Sequence, residues 1–242
     1  MANMEYVTEN KLTKEADQQK SLNQHRTLII GGVISIATLF LHFYVTIFVA
    51  LVTLVVWASQ NGSEIIRAGA AGEDIAVEIL KELPDGYTIY NQVDIPNEKS
   101  RTGFNEADLI VVGPNSIFVV EVKHNNGNIV GTYGDREWTV NKVGRGGTEY
   151  SNSMRNPIFQ VKNVVRLLLE DMKKKKSRAW IQGIVLFSND SAEISISGTS
   201  NIPVLRNDEF VEYILSYLSK SSISSLEKVV RDIAILKDPV RI

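Results

Sequence analysis

Asn105-Glu-Ala-Asp-Leu-Ile-Val-Val-Gly-Pro-Asn-Ser-Ile-Phe-Val-Val-Glu-Val-Lys-His124 places two carboxylates and a lysine inside two apolar runs. Asp108 opens the β-branched run Leu109 to Val112, and Glu121 and Lys123 close the run Ile117 to Val122. Gly113-Pro114-Asn115-Ser116 between them is turn chemistry, so the segment predicts a β-hairpin. Side chains alternate along a strand, which puts Glu121 and Lys123 on one side and Val120 and Val122 on the other. Charges inside such strands cost stability unless something compensates them. A divalent cation facing the two acids, with the lysine beside it, is one compensation. A cross-strand Asp108–Lys123 ion pair with Glu121 in water is another, contributing about 0.2–1 kcal/mol.

Upstream, Ala68 to Leu83 predicts a helix stopped by Pro84 and Gly86, with Ala76, Ile79, Leu80 and Leu83 on its apolar face. Glu73 shares that face and so needs a partner, which a buried salt bridge or a helix N-terminal dipole would also supply. Tyr87 to Ile95 predicts a strand. Beyond the hairpin, Asn128 to Tyr133 and Glu137 to Val143 predict two more, and Gly144 to Gly147 a flexible loop. That loop lacks the Gly-Lys-Ser/Thr ending of a nucleotide cradle. Asn156-Pro157 caps and starts a helix to about Met172, with Gln160 bordering its apolar stripe. Lys173 to Lys176 reads as its solvated end. Trp180 to Ser188 is a central strand, Ile194–Ile196 and Ile202–Leu205 are edge strands, and helices follow from Asp208 and from Ser224 or Ser225. The order predicts an α/β fold, a mixed central sheet flanked by helices.

The N-terminal quarter is different. Residues 1–26 are polar and predict a mobile tail or loose surface helix. Residues 27–58 contain no Asp, Glu, Lys or Arg, which predicts a transmembrane segment: one long tilted helix, or a hairpin of two short helices around His42. Lys11, Lys14, Lys20 and Arg26 precede it, so the N-terminus is expected in the cytoplasm. The hairpin form would keep the domain 62–242 on the cytoplasmic face of the cell membrane. The absence of cysteine excludes disulfides, thiolate metal sites and thiol catalysis, and a net charge of −2 argues against binding nucleic acid through bulk positive charge.

Together, Gly72-Glu73, Ala107-Asp108, Glu121-Val122-Lys123, Gly127, Asn156-Pro157 with Gln160, and Val185-Leu186-Phe187-Ser188 resemble the NERD (nuclease-related) domain over about Ile66 to Tyr217. That domain is a branch of the restriction-endonuclease-like PD-(D/E)XK superfamily, whose proline before the aspartate is Ala107 here. The resemblance implies a metal-dependent nuclease acting on DNA or RNA. It implies Asp108 and Glu121 as ligands of Mg²⁺ or Mn²⁺, with the Val122 carbonyl as a further candidate donor, and Glu73 as a further ligand directly or through water. It implies Lys123 as the group that orients water or offsets transition-state charge, with Gln160 steadying Lys123 or a phosphate. Arg145, Arg155, Lys162 and Arg166 are expected to line the nucleic-acid path. Near-neutral charge and a membrane tether leave open a non-catalytic nucleic-acid or protein-binding module of the same fold.

Overall fold

The computed structural model describes residues 1–8, 10–39, 43–58, 64–114, 116–144, 146–219, 223 and 225–237. Among these, the elements are α1 (Lys11–Leu39), α2 (Phe43–Ala58), α3 (Glu64–Leu80), β1 (Thr88–Pro96), β2 (Phe104–Val112), β3 (Ile117–Lys123), β4 (Gly127–Thr132), β5 (Glu137–Val143), β6 (Glu149–Arg155), α4 (Pro157–Lys174), β7 (Ile181–Phe187), β8 (Ala192–Ser197), β9 (Val204–Arg206), α5 (Asn207–Ser216) and α6 (Leu226–Lys237). The chain divides into two compact units: Glu9–Ala70, and Met1–Thr8 with Ala71–Ile242.

The larger unit is an α/β fold with mixed sheets. Its main sheet runs β1-β2-β3-β7-β9, and a second sheet runs β6-β5-β4-β8. In the main sheet β1–β2 and β2–β3 are antiparallel, as the Gly-Pro turn demands, while β3–β7 and β7–β9 are parallel. α4 lies between β3 and β7 in sequence and makes that parallel crossover, which a two-residue turn cannot. Alternation sets the two faces. Ile110, Val112, Ile117 and Val119 share a buried cluster with Ile158, Val161, Val164 and Leu168 of α4. Leu109, Val111, Phe118 and Val120 share another with Ala76 and Leu80 of α3 and Phe210 and Ile214 of α5. Burying each such side chain stabilises the fold by about 1.5–3 kcal/mol. β7 is buried along its whole length, in keeping with an apolar sequence that only Gln182 interrupts, its amide donating to Asn201 O at 2.7 Å.

Where β3 passes into the second sheet, Gly127 has φ +92°, and a Cβ there would stand 2.3 Å from the Asn141 carbonyl oxygen. Only glycine allows both the left-handed backbone and that approach.

Several expectations are corrected. The first eight residues are not a tail. Asn3 bridges to β1, its N–H donating to Tyr87 O (2.9 Å) and its carbonyl accepting from Ile89 N–H (3.2 Å). Thr8 exchanges hydrogen bonds with the Asn91 side chain, and Tyr6 stacks on Tyr90 at 4.9 Å. These residues pair with an otherwise open strand edge, which no local period in the sequence encodes. β6 was not foreseen: its polar run Glu149-Tyr-Ser-Asn-Ser-Met-Arg155 lacks apolar alternation because, as the edge of the second sheet, it is exposed along nearly its whole length. Gly144 and Gly147 form the turn of the β5–β6 hairpin, Gly147 N–H donating to Gly144 O and Gly144 N–H to Thr148 O. The helix expected over Ala68 to Leu83 runs from Glu64 to Leu80, so Glu73 lies in its middle and meets no N-terminal dipole.

In the smaller unit the uncharged stretch expected to span a membrane is divided between two helices, and the structure does not support a transmembrane helix. No helix among the described residues is long and apolar enough to cross a membrane. The apolar stretch is split between the end of α1 and the 16-residue α2. At 1.5 Å per residue α2 rises about 24 Å, short of a hydrocarbon core of about 30 Å. α1 and α2 pack on each other, with Thr53 so close to Gly31 that a Cβ there would clash with it, which excludes one continuous long helix. His42, expected at the hairpin tip, lies outside the described residues. Ile29, Ile30, Val33, Ile36, Phe48 and Val55 are each 58–67% exposed within this unit.

Candidate active site

The site lies where the β2–β3 ladder opens. Pairing runs from Val112↔Ile117 to Leu109↔Val120 and stops one pair short of Asp108 and Glu121. From there β2 continues along β1 and β3 continues along β7, so the two strands part. Asp108 fills the gap: its Oδ2 accepts from Val122 N–H at 2.7 Å, taking the place of a backbone carbonyl. Glu121 is buried, and its Oε1 accepts from Lys123 Nζ at 2.6 Å. The lysine therefore pairs along its own strand with Glu121, not across the hairpin with Asp108.

Glu73 reaches the same place from α3. It is 7% exposed, and its Oε2 accepts from Gln92 Nε2 at 3.0 Å. α3 comes this close because residue 72 is glycine. A Cβ there would lie 2.6 Å from the His124 Cβ and 2.8 Å from Ser188 Oγ. His124 in turn bonds Ser188 Oγ at 3.1 Å, tying the ends of β3 and β7 together under the helix.

The electrostatics follow from this crowding. Burial, then the negative charges of Glu121 and Glu73, push the Asp108 carboxyl well above the usual carboxylate range; the Val122 N–H and Lys123 oppose this and lose. Three acids and one ammonium thus share a single electrostatic neighbourhood. Added positive charge would relieve the imbalance, and an all-oxygen donor set suits a hard divalent ion. Among the described residues no three acids or histidines stand in ready ligand geometry, so Glu73, Asp108 and Glu121 would have to close in on an ion.

Gln92 was not foreseen. It is 1% exposed and has φ +47° in the interior of β1. Asn91↔Leu109 and Val93↔Ala107 pair on either side, leaving Gln92 opposite Asp108 outside the ladder. A left-handed non-glycine residue in a strand is uncommon and strained by about 1–3 kcal/mol. The strain aims the amide at Glu73. The adjacent amides Asn91 and Gln92 within β1 were the available signal, but they read equally as core or edge amides.

A cleft of about 720 Å³ opens over Asp108 and Glu121 and is walled by Gln160 and Phe159 of α4 and by Arg136 and Arg155 of the β5–β6 hairpin. Gln160 thus reaches the site, at its rim. Of the expected nucleic-acid contacts only Arg155 lines this cleft. Lys162 lines a separate cavity with Tyr133 and Asn201 and lies over the Phe159 ring, 5.8 Å from its centroid. Arg166 is turned along α4 to Glu170 (2.7 Å) and Asn163 (2.9 Å), because an i, i+4 acid competes for it. Arg145 lies outside the described residues. The missed cation is Arg136, whose position beside Arg155 depends on the unforeseen β6.

The family model for the nuclease-related domain (NERD) matches residues 68–188, half of the chain. The chain belongs to the NERD family. The match begins with the part of α3 that carries Glu73 and ends at Ser188 after β7. It holds Asp108, Glu121, Lys123 and Gln160, and the whole β4–β6 excursion that walls the cleft. The α1–α2 hairpin and α5 and α6 lie outside the matched NERD region. No curated protein and no solved structure matches the chain.

Proposed function

We propose that this NERD protein is a metal-dependent nuclease hydrolysing phosphodiester bonds of DNA or RNA, tethered to a membrane by its N-terminal hairpin. The observation that carries the catalytic part is the opened β2–β3 fork, which leaves Asp108 and Glu121 facing the cleft outside the ladder; burial, and then the charges of Glu121 and Glu73, push the Asp108 carboxyl up. Asp108 and Glu121 would hold Mg²⁺ or Mn²⁺, with Glu73 as the third carboxylate. Bound there, the ion supplies charge neutralisation at the phosphoryl group and a water of lowered pKa. Lys123, paired with Glu121 in the metal-free protein, would turn its ammonium to the phosphate and offset developing negative charge. Gln92 keeps the Glu73 carboxylate turned inward, and Gln160 at the rim donates to a substrate phosphate.

The test uses the full chain, labelled single- and double-stranded DNA and RNA, and Mg²⁺ or Mn²⁺. Cleavage is expected with metal and is expected to stop with chelator. Glu121→Gln is expected to lower it by about 10²–10⁴-fold, the range of one positioned acid–base or charged group. Absence of cleavage on every substrate would sink catalysis at this site. A second reading, a non-catalytic nucleic-acid-binding module, is favoured by the Lys123–Glu121 ion pair, which occupies a carboxylate the metal would need. It predicts binding that persists in chelator and survives Glu121→Gln.

The tether rests on the exposed apolar surface of α1 and α2. Such a surface is larger than a soluble face carries without a partner. It would place the protein at the cell membrane with the NERD domain on the cytoplasmic side. In cells making the full chain, the protein is expected to stay with membranes through alkaline extraction. Val33→Asp with Val55→Asp should move it to the supernatant, since a buried Asp costs about 2.5–3.5 kcal/mol per site in a membrane helix. Wild-type protein recovered wholly in the supernatant would refute the tether.

A further inference from the structure

We propose that the cleft takes its nucleic acid as a single strand, with one base stacked on Phe159 and the neighbouring phosphates on Arg136 and Arg155. The proposal rests on the nucleic-acid reading above and names the form of substrate. Three observations carry it. Phe159, on the first turn of α4, is 46% exposed although it lines the cleft that contains Asp108 and Glu121. An aromatic side chain left in water at the mouth of a polar cleft offers a flat face to a base. Lys162 over the same ring adds positive charge to the platform.

The second observation is the pair of arginines. Arg136 begins the β5–β6 hairpin and Arg155 ends it, held together because Glu137 pairs with Arg155 and Asn156 N–H donates to Arg136 O at 3.0 Å. Neither side chain takes part in an ion pair among the described residues, whereas Glu137 in the same wall is bonded by Ser153. The N-terminus of the 18-residue α4 opens beside them, so its dipole adds to an anion-attracting rim. Phosphates entering along this rim lead toward the acids at the floor.

The third is size. At about 720 Å³ the cleft lies in the range of pockets that enclose one small ligand. It has room for a nucleotide or two splayed from their neighbours. Asp108 and Glu121 lie in the lining of this cleft, where a strand drawn out of its pairing would meet them. The base contacts are faces, not edges, so the proposal predicts little preference for sequence.

The experiment measures binding of labelled single strands and of the same sequence as a blunt duplex to full-length protein carrying Glu121→Gln, so that substrate stays intact. Tenfold or tighter binding of the single strand is expected. Phe159→Ala should weaken single-strand binding about tenfold or more, and Phe159→Trp should retain it. Arg136→Ala and Arg155→Ala should each lower the salt dependence of binding by about one unit of slope. Equal affinity for duplex, or a silent Phe159→Ala, would overturn the proposal. Its failure is separable from that of catalysis: wild-type protein that cleaves duplex as fast as single strand, with Phe159→Ala silent, loses this inference and keeps the nuclease. Phe159-dependent capture of single strands without any cleavage keeps this inference and loses the nuclease.

Discussion

Asp108→Asn is expected to reduce cleavage by about a thousandfold or more and at the same time to raise the melting temperature of the metal-free protein at neutral pH. The first effect follows from removing one of the acids proposed to hold the ion, with a size typical of losing one essential charged group. The second follows from the sign of the Asp108 shift. Burial and the charges of Glu121 and Glu73 raise its pKa in the folded state above the unfolded value of about 3.9. Its contribution to stability is therefore fully present below that unfolded value and is lost as pH rises through the raised folded one. Lys123 and the Val122 N–H reduce this loss without reversing it. The asparagine carboxamide oxygen can still accept the Val122 N–H, so the substitution removes the charge and keeps the bond. Thermal melts in chelator between pH 4 and pH 8 should show wild type falling and Asp108→Asn falling less. Adding Mg²⁺ or Mn²⁺ should restore wild type by about 2.7 kcal/mol at a hundred times the dissociation constant, with little change in the variant. A metal-free wild type that gains stability across this pH range relative to Asp108→Asn would contradict the crowded-acid account.

Gly72→Val is expected to lower both stability and activity, although valine is the better helix former. The propensity gain is below about 1 kcal/mol. Against it stand approaches of 2.6 Å to the His124 Cβ and 2.8 Å to Ser188 Oγ. The His124 Cβ is fixed to the backbone at the end of β3 and cannot swing away, so α3 has to move outward. Overpacking of this kind costs about 1–3 kcal/mol, and valine's two methyl groups put it at the upper end. For a domain of this size that is a fall of roughly 5–10 °C in melting temperature. Because Glu73 is the next residue, its carboxylate would leave the Gln92 amide and the acid cluster, and activity should fall even where the fold survives. Gly146→Ala, whose Cβ would meet nothing within 4 Å, is the control and should leave both unchanged. Unaltered melting and activity in Gly72→Val would mean that α3 does not need its close seat on β3 and β7.

The strands with strong local signals were legible. The β2–β3 hairpin followed from two β-branched runs about a Gly-Pro turn. β7 followed from an apolar run interrupted only by Gln182, and the start of α4 from Asn156, whose Oδ1 does accept from Ile158 N–H at 2.9 Å. Asp108, Glu121 and Lys123 could be grouped because they sit within one hairpin, and Glu73 because it occupied the apolar side of a helix. What escaped lacked a local period. β6 is polar because it is an exposed edge, and residues 1–8 are held by one strand's free edge. Arg136 gained its place in the cleft from β6, while Lys162 and Arg166, one and two positions from the helix stripe, were turned elsewhere by an aromatic ring and a glutamate.

Chain chemistry alone determined the strands and helices that carry a local period, which acids lie near the lysine, and that a long uncharged stretch precedes the domain, since each of these depends on neighbours a few residues away. Only the folded molecule decided that the β2–β3 ladder opens one pair before Asp108, that Lys123 turns to Glu121, that Gln92 strains its backbone to reach Glu73, and which cations face the cleft. Those outcomes depend on where distant strands part and how closely a helix can approach them, and on competition among charges for partners that meet only after the chain has closed on itself.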